Sequence, residues 1–342
     1  MKILIVKLSS LGDVLHNLPV VWDIRTRYPE AQVDWVIEEG FAGLLDPLMT
    51  TPTFKGVDRV IPLALRRWKK SFKNGEFIRS IQEFITFKKD LQSASYDLII
   101  DTQGLIKSAA LTRIAKLAEG GRIVGPANKT QYSGFESLTR YFYTETVQVP
   151  MHLHAVERAR WVTAAAIDAP APKEGMDLPH FYPESYVANL ASQAQSLLNE
   201  LAIDRPYTVF LHSTSRADKR WPNESWVAVG KHLIAQGTQV ILPWGSPAEK
   251  TISEALAKEI PGAIVPRALA IHEIYALIAG AKQIIGVDTG LVHVAAAFCK
   301  PTIEIYCNSW KGNAAGYWST QIHNLGDMGQ TPTVEEVLNL IQ

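Results

Sequence analysis

Four polar clusters in this chain each follow a short apolar run, and each holds residue types suited to chemistry. The first is Ser9-Ser10-Leu11-Gly12-Asp13. Gly12 lets the backbone turn tightly or approach a ligand closely. Asp13 falls near the start of a helical pattern, where the helix dipole favours the ionised carboxylate that a general base needs. An N-cap aspartate would have the same position and the same charge, so both readings stand. The second cluster, Thr214-Ser215-Arg216 with Lys219, offers hydroxyls and a point charge suited to a diphosphate; a solvated basic loop is the plainer alternative. The third, Pro243-Trp244-Gly245-Ser246-Pro247-Ala248-Glu249, sets a carboxylate just past a strand end. There it either accepts the two hydroxyls of a ribose or simply favours a first helical turn. The fourth is Asp288-Thr289-Gly290-Leu291-Val292-His293, whose backbone N–H groups open a helix and form an anion site. Gly290 leaves room for phosphate oxygens, and Thr289 and His293, four apart, share a helix face. A capped helix with a buried histidine is its alternative.

A fifth feature is electrostatic. Residues 55–90 hold ten Lys/Arg against four Asp/Glu, centred on Leu65-Arg66-Arg67-Trp68-Lys69-Lys70. An aromatic anchor among cations suits an anionic amphiphile or a membrane headgroup layer; a solvated helix–loop face has the same composition. The whole chain balances 34 basic against 34 acidic residues, so nothing extends that patch into a nucleic-acid footprint. Several classes are disfavoured. The first strand is not followed by Gly-x-Gly-x-x-Gly, which argues against a dinucleotide oxidoreductase, and there is no Walker A loop. No His/Cys/carboxylate spacing marks a metal site, and His152 and His154 read as surface or packing residues. The expected reaction is therefore metal-independent, with lysine and helix dipoles in place of a cation. Cys299 and Cys307 read as small buried residues.

These clusters need elements to hold them. A length of 342 residues predicts two domains: 1–168, a Pro-rich linker over 169–183, and 184–342. In the first domain the pattern predicts strands over 2–8, 33–37, 60–63 and 98–101, with one helix over 13–28. In the second it predicts strands over 207–211, 239–242, 263–265, 283–287 and 302–306, alternating with helices over 226–235, 248–259, 272–281 and 291–298. A capped helix over 333–341 ends the chain, and it is free to pack back on the first domain. Strands alternating with helices imply α/β domains with mostly parallel sheets, whose ligands bind beyond the carboxyl ends of the strands. The apolar start is too short for a signal peptide and no run is long enough to span a bilayer. A cytoplasmic monomer with at most peripheral membrane contact is expected.

The motifs KLSSLGD (7–13), DTQGLIK (101–107), LHSTSRADK (211–219), WP (221–222), PWGSP (243–247) and DTGLVH (288–293), in that order along nearly the whole chain, resemble the ADP-heptose lipopolysaccharide heptosyltransferases. The run RRWKK (66–70) and HAVER (154–158) resemble the type I members. The resemblance implies a glycosyltransferase-B architecture, two facing Rossmann-like domains with a cleft between them. It implies inverting, metal-independent transfer of L-glycero-D-manno-heptose from ADP-heptose to the first Kdo of Kdo2-lipid A, at the cytoplasmic face of the inner membrane. Residue by residue, Asp13 matches the general base and Lys219 a charge on the leaving group. Thr214, Ser215, Glu249, Asp288, Thr289, Gly290 and His293 match donor contacts. Ser10, Gly12, Gln103, Arg66, Arg67, Lys69 and Lys70 fall on the acceptor side. Ser215 replaces a threonine of the family, and Ala268 stands where a methionine would pack near adenine. Rival expectations are a type II enzyme or another nucleotide-sugar transferase, a sugar-nucleotide epimerase or hydrolase of the same architecture, and a non-catalytic lipid-A-binding protein.

Overall fold

The computed structural model describes residues 1–75, 77–173, 178–214 and 216–341. The chain forms two compact units, Met1–His180 and Phe181–Gln342.

The first unit is built on six parallel strands: β1 Lys2–Val6, β2 Gln32–Glu38, β3 Arg59–Leu63, β4 Ser95–Asp101, β5 Lys116–Pro126 and β6 Glu145–Val147. Their order is β3-β2-β1-β4-β5-β6. Strand β1 is central because Ile3, Leu4, Ile5 and Val6 are apolar without interruption and are fully buried, as a strand covered on both faces must be. The order reverses between β1 and β4, so the loops after these two strands form the switch-point crevice. Asp13 and Gln103 lie on those two loops or just beyond them.

The second unit has β7 Tyr207–Leu211, β8 Gln239–Ile241, β9 Gln283–Val287, β10 Thr302–Tyr306 and β11 Ile322–Gly326, ordered β11-β10-β9-β7-β8 and all parallel. The predicted strand over 263–265 is reduced to one parallel bridge, Ile241 to Ile264. Counting it as a sixth position makes the order the same as in the first unit. Here the switch point lies between β7 and β9, which are followed by the Thr214–Lys219 and Asp288–His293 clusters.

Three strands escaped the sequence reading. β5 contains Gly120 and Gly121 and shifts register against β4 between Tyr96 and Leu98, so it shows no clean apolar run. β6 and β11 are edge strands with mostly half-exposed residues. The helix predicted over 13–28 is two helices, Leu11–Leu15 and Pro19–Arg27. Pro19 has no N–H and its ring would collide with a carbonyl one turn back, so it can only open the second helix. The C-terminal helix Val334–Leu338, which the sequence left free to return to the first domain, buries Val337 in the core of the second unit. Its Thr333–Glu336 capping box is formed as the sequence suggested. Cys307 is buried but Cys299 is exposed. Cys299 is the left-handed residue (φ 52°) closing helix Gly290–Ala297, where its own N–H and that of Lys300 satisfy the carbonyls of Ala296 and Ala295.

Candidate functional site

In the first unit, Ser10 caps the helix that carries Asp13 at its third position. The Asp13 carboxylate accepts hydrogen bonds from the Ser10 N–H (2.8 Å) and the Ser10 hydroxyl (2.7 Å). Asp13 is thus not the N-cap residue itself but the third-position partner in the capping box of Ser10, and it also lines a cavity of about 180 Å³ with Lys7, Ser9, His16, Gln103 and Arg158. Burial works against its charge, but Lys7, the two Ser10 hydrogen bonds and Arg158 outweigh it and hold the carboxyl below its ordinary range. Asp13 is therefore a half-buried carboxylate held in its ionised form, and its contacts to Ser10 reinforce that charge. Gly12 sits inside the helix, not at the tight turn its type suggested.

Gln103 ties the two switch-point loops together. Its side chain accepts from the Leu8 N–H (2.7 Å) and donates to the Ser9 carbonyl (3.1 Å). Its own N–H donates to Asp101 Oδ1, a buried carboxylate that also accepts from Tyr143 Oη at 2.9 Å. Lys107 donates to Ser9 Oγ at 3.0 Å. Burial lowers the pKa of Lys107, and the nearby charges of Arg66 and Lys69 lower it further, while Glu38 and Asp13 oppose that shift.

The basic run forms the helix Leu65–Lys73, and helix Phe77–Leu91 packs against it. Arg67 is engaged within the fold: it pairs with both oxygens of Glu39 and with Glu83. Trp68 Nε1, Arg67 and Arg79 together pull the Glu83 carboxyl down to about 2. Arg66 lies over the Phe41 ring, 4.9 Å from its centroid, and Lys69 and Lys70 are exposed.

In the second unit Lys219 and Asp288, 69 residues apart in sequence, meet across the switch point at 2.6 Å. The Thr214 hydroxyl donates to the Asp288 carbonyl at 3.1 Å, and Ser215 lies outside the described residues. His293 Nε2 is 3.3 Å from Asp288 Oδ1, and its Nδ1 is 3.8 Å from the fully buried Glu304. Burial opposes a proton on His293, but the two carboxylates prevail and push its pKa up to about 9. Burial likewise opposes the charge on Asp288, yet His293 and Lys219 hold its carboxyl well below the usual range. Thr289 is the N-cap of helix Gly290–Ala297 but makes no side-chain capping bond, and its hydroxyl stands at the helix start. Lys219 uses one of its three donors on Asp288. The cluster thus gathers a helix start, two hydroxyls and an ammonium around Asp288, groups of the kind that bind anions.

Glu249 stands at the start of helix Pro247–Glu259. Its carboxylate accepts the Gly245 N–H at 2.7 Å, while its own N–H donates to the capping Ser246. Part of its hydrogen-bonding capacity therefore serves the turn. Among the described residues no group of three or more His, Cys, Asp or Glu could hold a metal ion. The sequence reading missed Lys7, Lys107 and Arg158 around Asp13, and Glu304 behind His293. Charges at the end of, or inside, otherwise apolar strands were the available signal for Lys7 and Glu304.

Solved structures share this architecture. Escherichia coli heptosyltransferase WaaC with ADP superposes with a TM-score of 0.80 at 34% identity, covering 99% of this chain and 98% of that one. The same enzyme with ADP-2-deoxy-2-fluoro heptose gives 0.77 at 33%, with the same coverage. Lipopolysaccharide heptosyltransferase 1 of Pseudomonas aeruginosa is 36% identical over 346 residues, covering 98% of this chain and 87% of that protein. Two doubly wound units, each with a polar cluster at its switch point, together with this similarity define a glycosyltransferase of the GT-B kind. The model of glycosyltransferase family 9 (heptosyltransferase) matches residues 84–340. This chain belongs to that family.

Proposed function

We propose the following reaction and roles. The chain is a lipopolysaccharide heptosyltransferase of the first type, acting in inner-core biosynthesis. It transfers L-glycero-D-manno-heptose from ADP-heptose to the first Kdo of Kdo2-lipid A. Asp13 takes the proton of the acceptor hydroxyl as that oxygen bonds to the anomeric carbon. The bond from that carbon to the diphosphate oxygen breaks on the opposite face, ADP leaves with the electron pair, and the configuration inverts. Lys219 and the helix start at Thr289 offset the charge that develops on the diphosphate. Gln103 and Lys107 position the Ser9–Ser10 loop beneath Asp13, and Glu249 keeps a carboxylate oxygen for the donor ribose. Arg66, Lys69 and Lys70 meet the acidic acceptor.

The observation that carries this reading is the environment of Asp13: a half-buried carboxylate in a cavity, kept ionised by Lys7 and Ser10. The donor follows from the ADP and fluoro-heptose complexes of the similar enzyme. The acceptor and the peripheral contact with the cytoplasmic face of the inner membrane rest on the basic helix. The test is ADP release from ADP-heptose with and without Kdo2-lipid A. Release that requires the acceptor supports transfer. Release at full rate without it would establish a hydrolase or epimerase instead.

A further inference from the structure

The helical hairpin of the first unit has a face that neither its core nor the Asp13 site uses. On helix Phe77–Leu91 the residues Ser80, Phe87 and Leu91 are buried. Phe77, Ile78, Ile81 and Ile85 are not; each is at least 46% exposed and Ile78 reaches 75%. At the angular step of an α-helix these four fall within an arc of roughly 100°. Phe72 of the preceding helix joins them, its ring 5.5 Å from that of Phe77. Single exposed apolar side chains are ordinary, but a contiguous group marks a contact surface.

Cations surround this group. Residues 65–91 carry eight Lys/Arg and three Asp/Glu in a chain of zero net charge. Of the hairpin's cations Arg67 and Arg79 form ion pairs, and its Asp90 pairs with Arg59 of β3; Lys69, Lys70, Lys73, Lys88 and Lys89 make none among the described residues. A second copy of the chain on a two-fold axis would bring these lysines against themselves, whereas lipid phosphates would neutralise them. With 15 residues, the second helix is about 22 Å long. That is too short to cross a bilayer core of about 30 Å but suited to lying in its surface.

We infer that the paired helices Leu65–Lys73 and Phe77–Leu91 dock in the surface of an anionic lipid bilayer, their apolar group entering the acyl boundary and their lysines engaging lipid phosphates. This rests on the reading of the chain as acting on a lipid-linked sugar. The placement serves that reaction, because Arg66 and Lys69 lie near Lys107, which holds the Ser9 loop. Docking the hairpin brings the lipid surface to the Asp13 side of the unit.

The test compares the full chain with the double variant Ile78→Asn/Ile81→Asn and the variant Lys88→Gln/Lys89→Gln. Flotation is measured with phosphatidylethanolamine–phosphatidylglycerol vesicles and with phosphatidylcholine vesicles. Transfer is measured to Kdo2-lipid A dispersed in detergent and embedded in vesicles. The native chain should float with the anionic vesicles and release at high salt. The isoleucine variant should bind about tenfold more weakly or worse, keep its detergent rate and lose rate on embedded acceptor. The lysine variant should lose the salt-sensitive part of binding. Native-like flotation of the isoleucine variant overturns the proposal. So does lipid-free dimerisation of the native chain that this variant abolishes, since the face then belongs to a second copy. Transfer in detergent without vesicle binding would remove the docking surface and leave the enzyme reading intact. Vesicle binding without transfer would support the surface and remove the enzyme reading.

Discussion

Asp13 is the capping-box partner of Ser10 and the base of the proposed reaction, and the two roles separate on substitution. Asn keeps an oxygen able to accept the Ser10 N–H but cannot take a proton. Asp13→Asn should therefore abolish turnover while thermal unfolding stays within about 1 kcal/mol of native; Asp13→Ala should lose both turnover and about 1 kcal/mol, with nucleotide affinity nearly intact in either case. A pair of inactive variants that fail to fold would leave only the cap. Because Lys7 helps to hold Asp13 ionised, the acid limb of the pH profile for kcat/KM should lie below the ordinary aspartate value of about 3.9 and move upward in Lys7→Gln. His293 behaves in the opposite sense. Its folded pKa, about 9, exceeds its ordinary 6.5. Its contribution to stability is complete below the lower value and is lost as pH rises through the higher one, by at most on the order of 3 kcal/mol. Urea unfolding followed across that window should show the loss in the native chain and its absence in His293→Gln.

At the scale of elements, the site depends on strands that carry no catalytic residue. Gly125 in β5 faces the Tyr143 ring, and a Cβ there would come within 2.5 Å of ring carbons. Tyr143 in turn donates to Asp101, whose other oxygen holds the loop of Gln103. Gly125→Ala should overpack this contact, lower the melting temperature by an amount corresponding to roughly 1–3 kcal/mol, and reduce kcat through the displaced loop. The sequence showed the central strands β1, β2, β7, β9 and β10 because burial on both faces demands uninterrupted apolar runs such as Ile3-Leu4-Ile5-Val6. It did not show β5, where a register shift and paired glycines break the pattern, or the division of the first helix at Pro19. That proline marks a boundary only when its own pattern is allowed to override the periodicity around it.

For the whole molecule, the two units repeat one topology with different chemistry at each switch point. The second should account for nucleotide binding. ADP at about one hundred times its Kd should stabilise the chain by about 2.7 kcal/mol, seen as a rise in melting temperature. Lys219→Gln should remove about 1.5–3 kcal/mol of ADP affinity, measured by calorimetry, while Asp13→Asn leaves that affinity unchanged. Equal losses in the two variants would contradict the assignment of the diphosphate to Lys219.

The sequence by itself determined the α/β class, the central strands and the polar clusters at their ends, because strand burial and helix starts leave local patterns. Its ordered motifs also identified the family. It identified Asp13, Lys219 and Asp288 as candidates without showing their partners. Only the tertiary structure decided that Lys219 meets Asp288 across 69 residues of chain and that Arg67 is engaged by Glu39 and Glu83. It also decided that Lys7 and Arg158 line the same cavity as Asp13. The physical reason is that charge pairing acts through space. Whether a carboxylate only caps a helix or also serves as a base is set by which cations the fold brings beside it, and no local pattern encodes that.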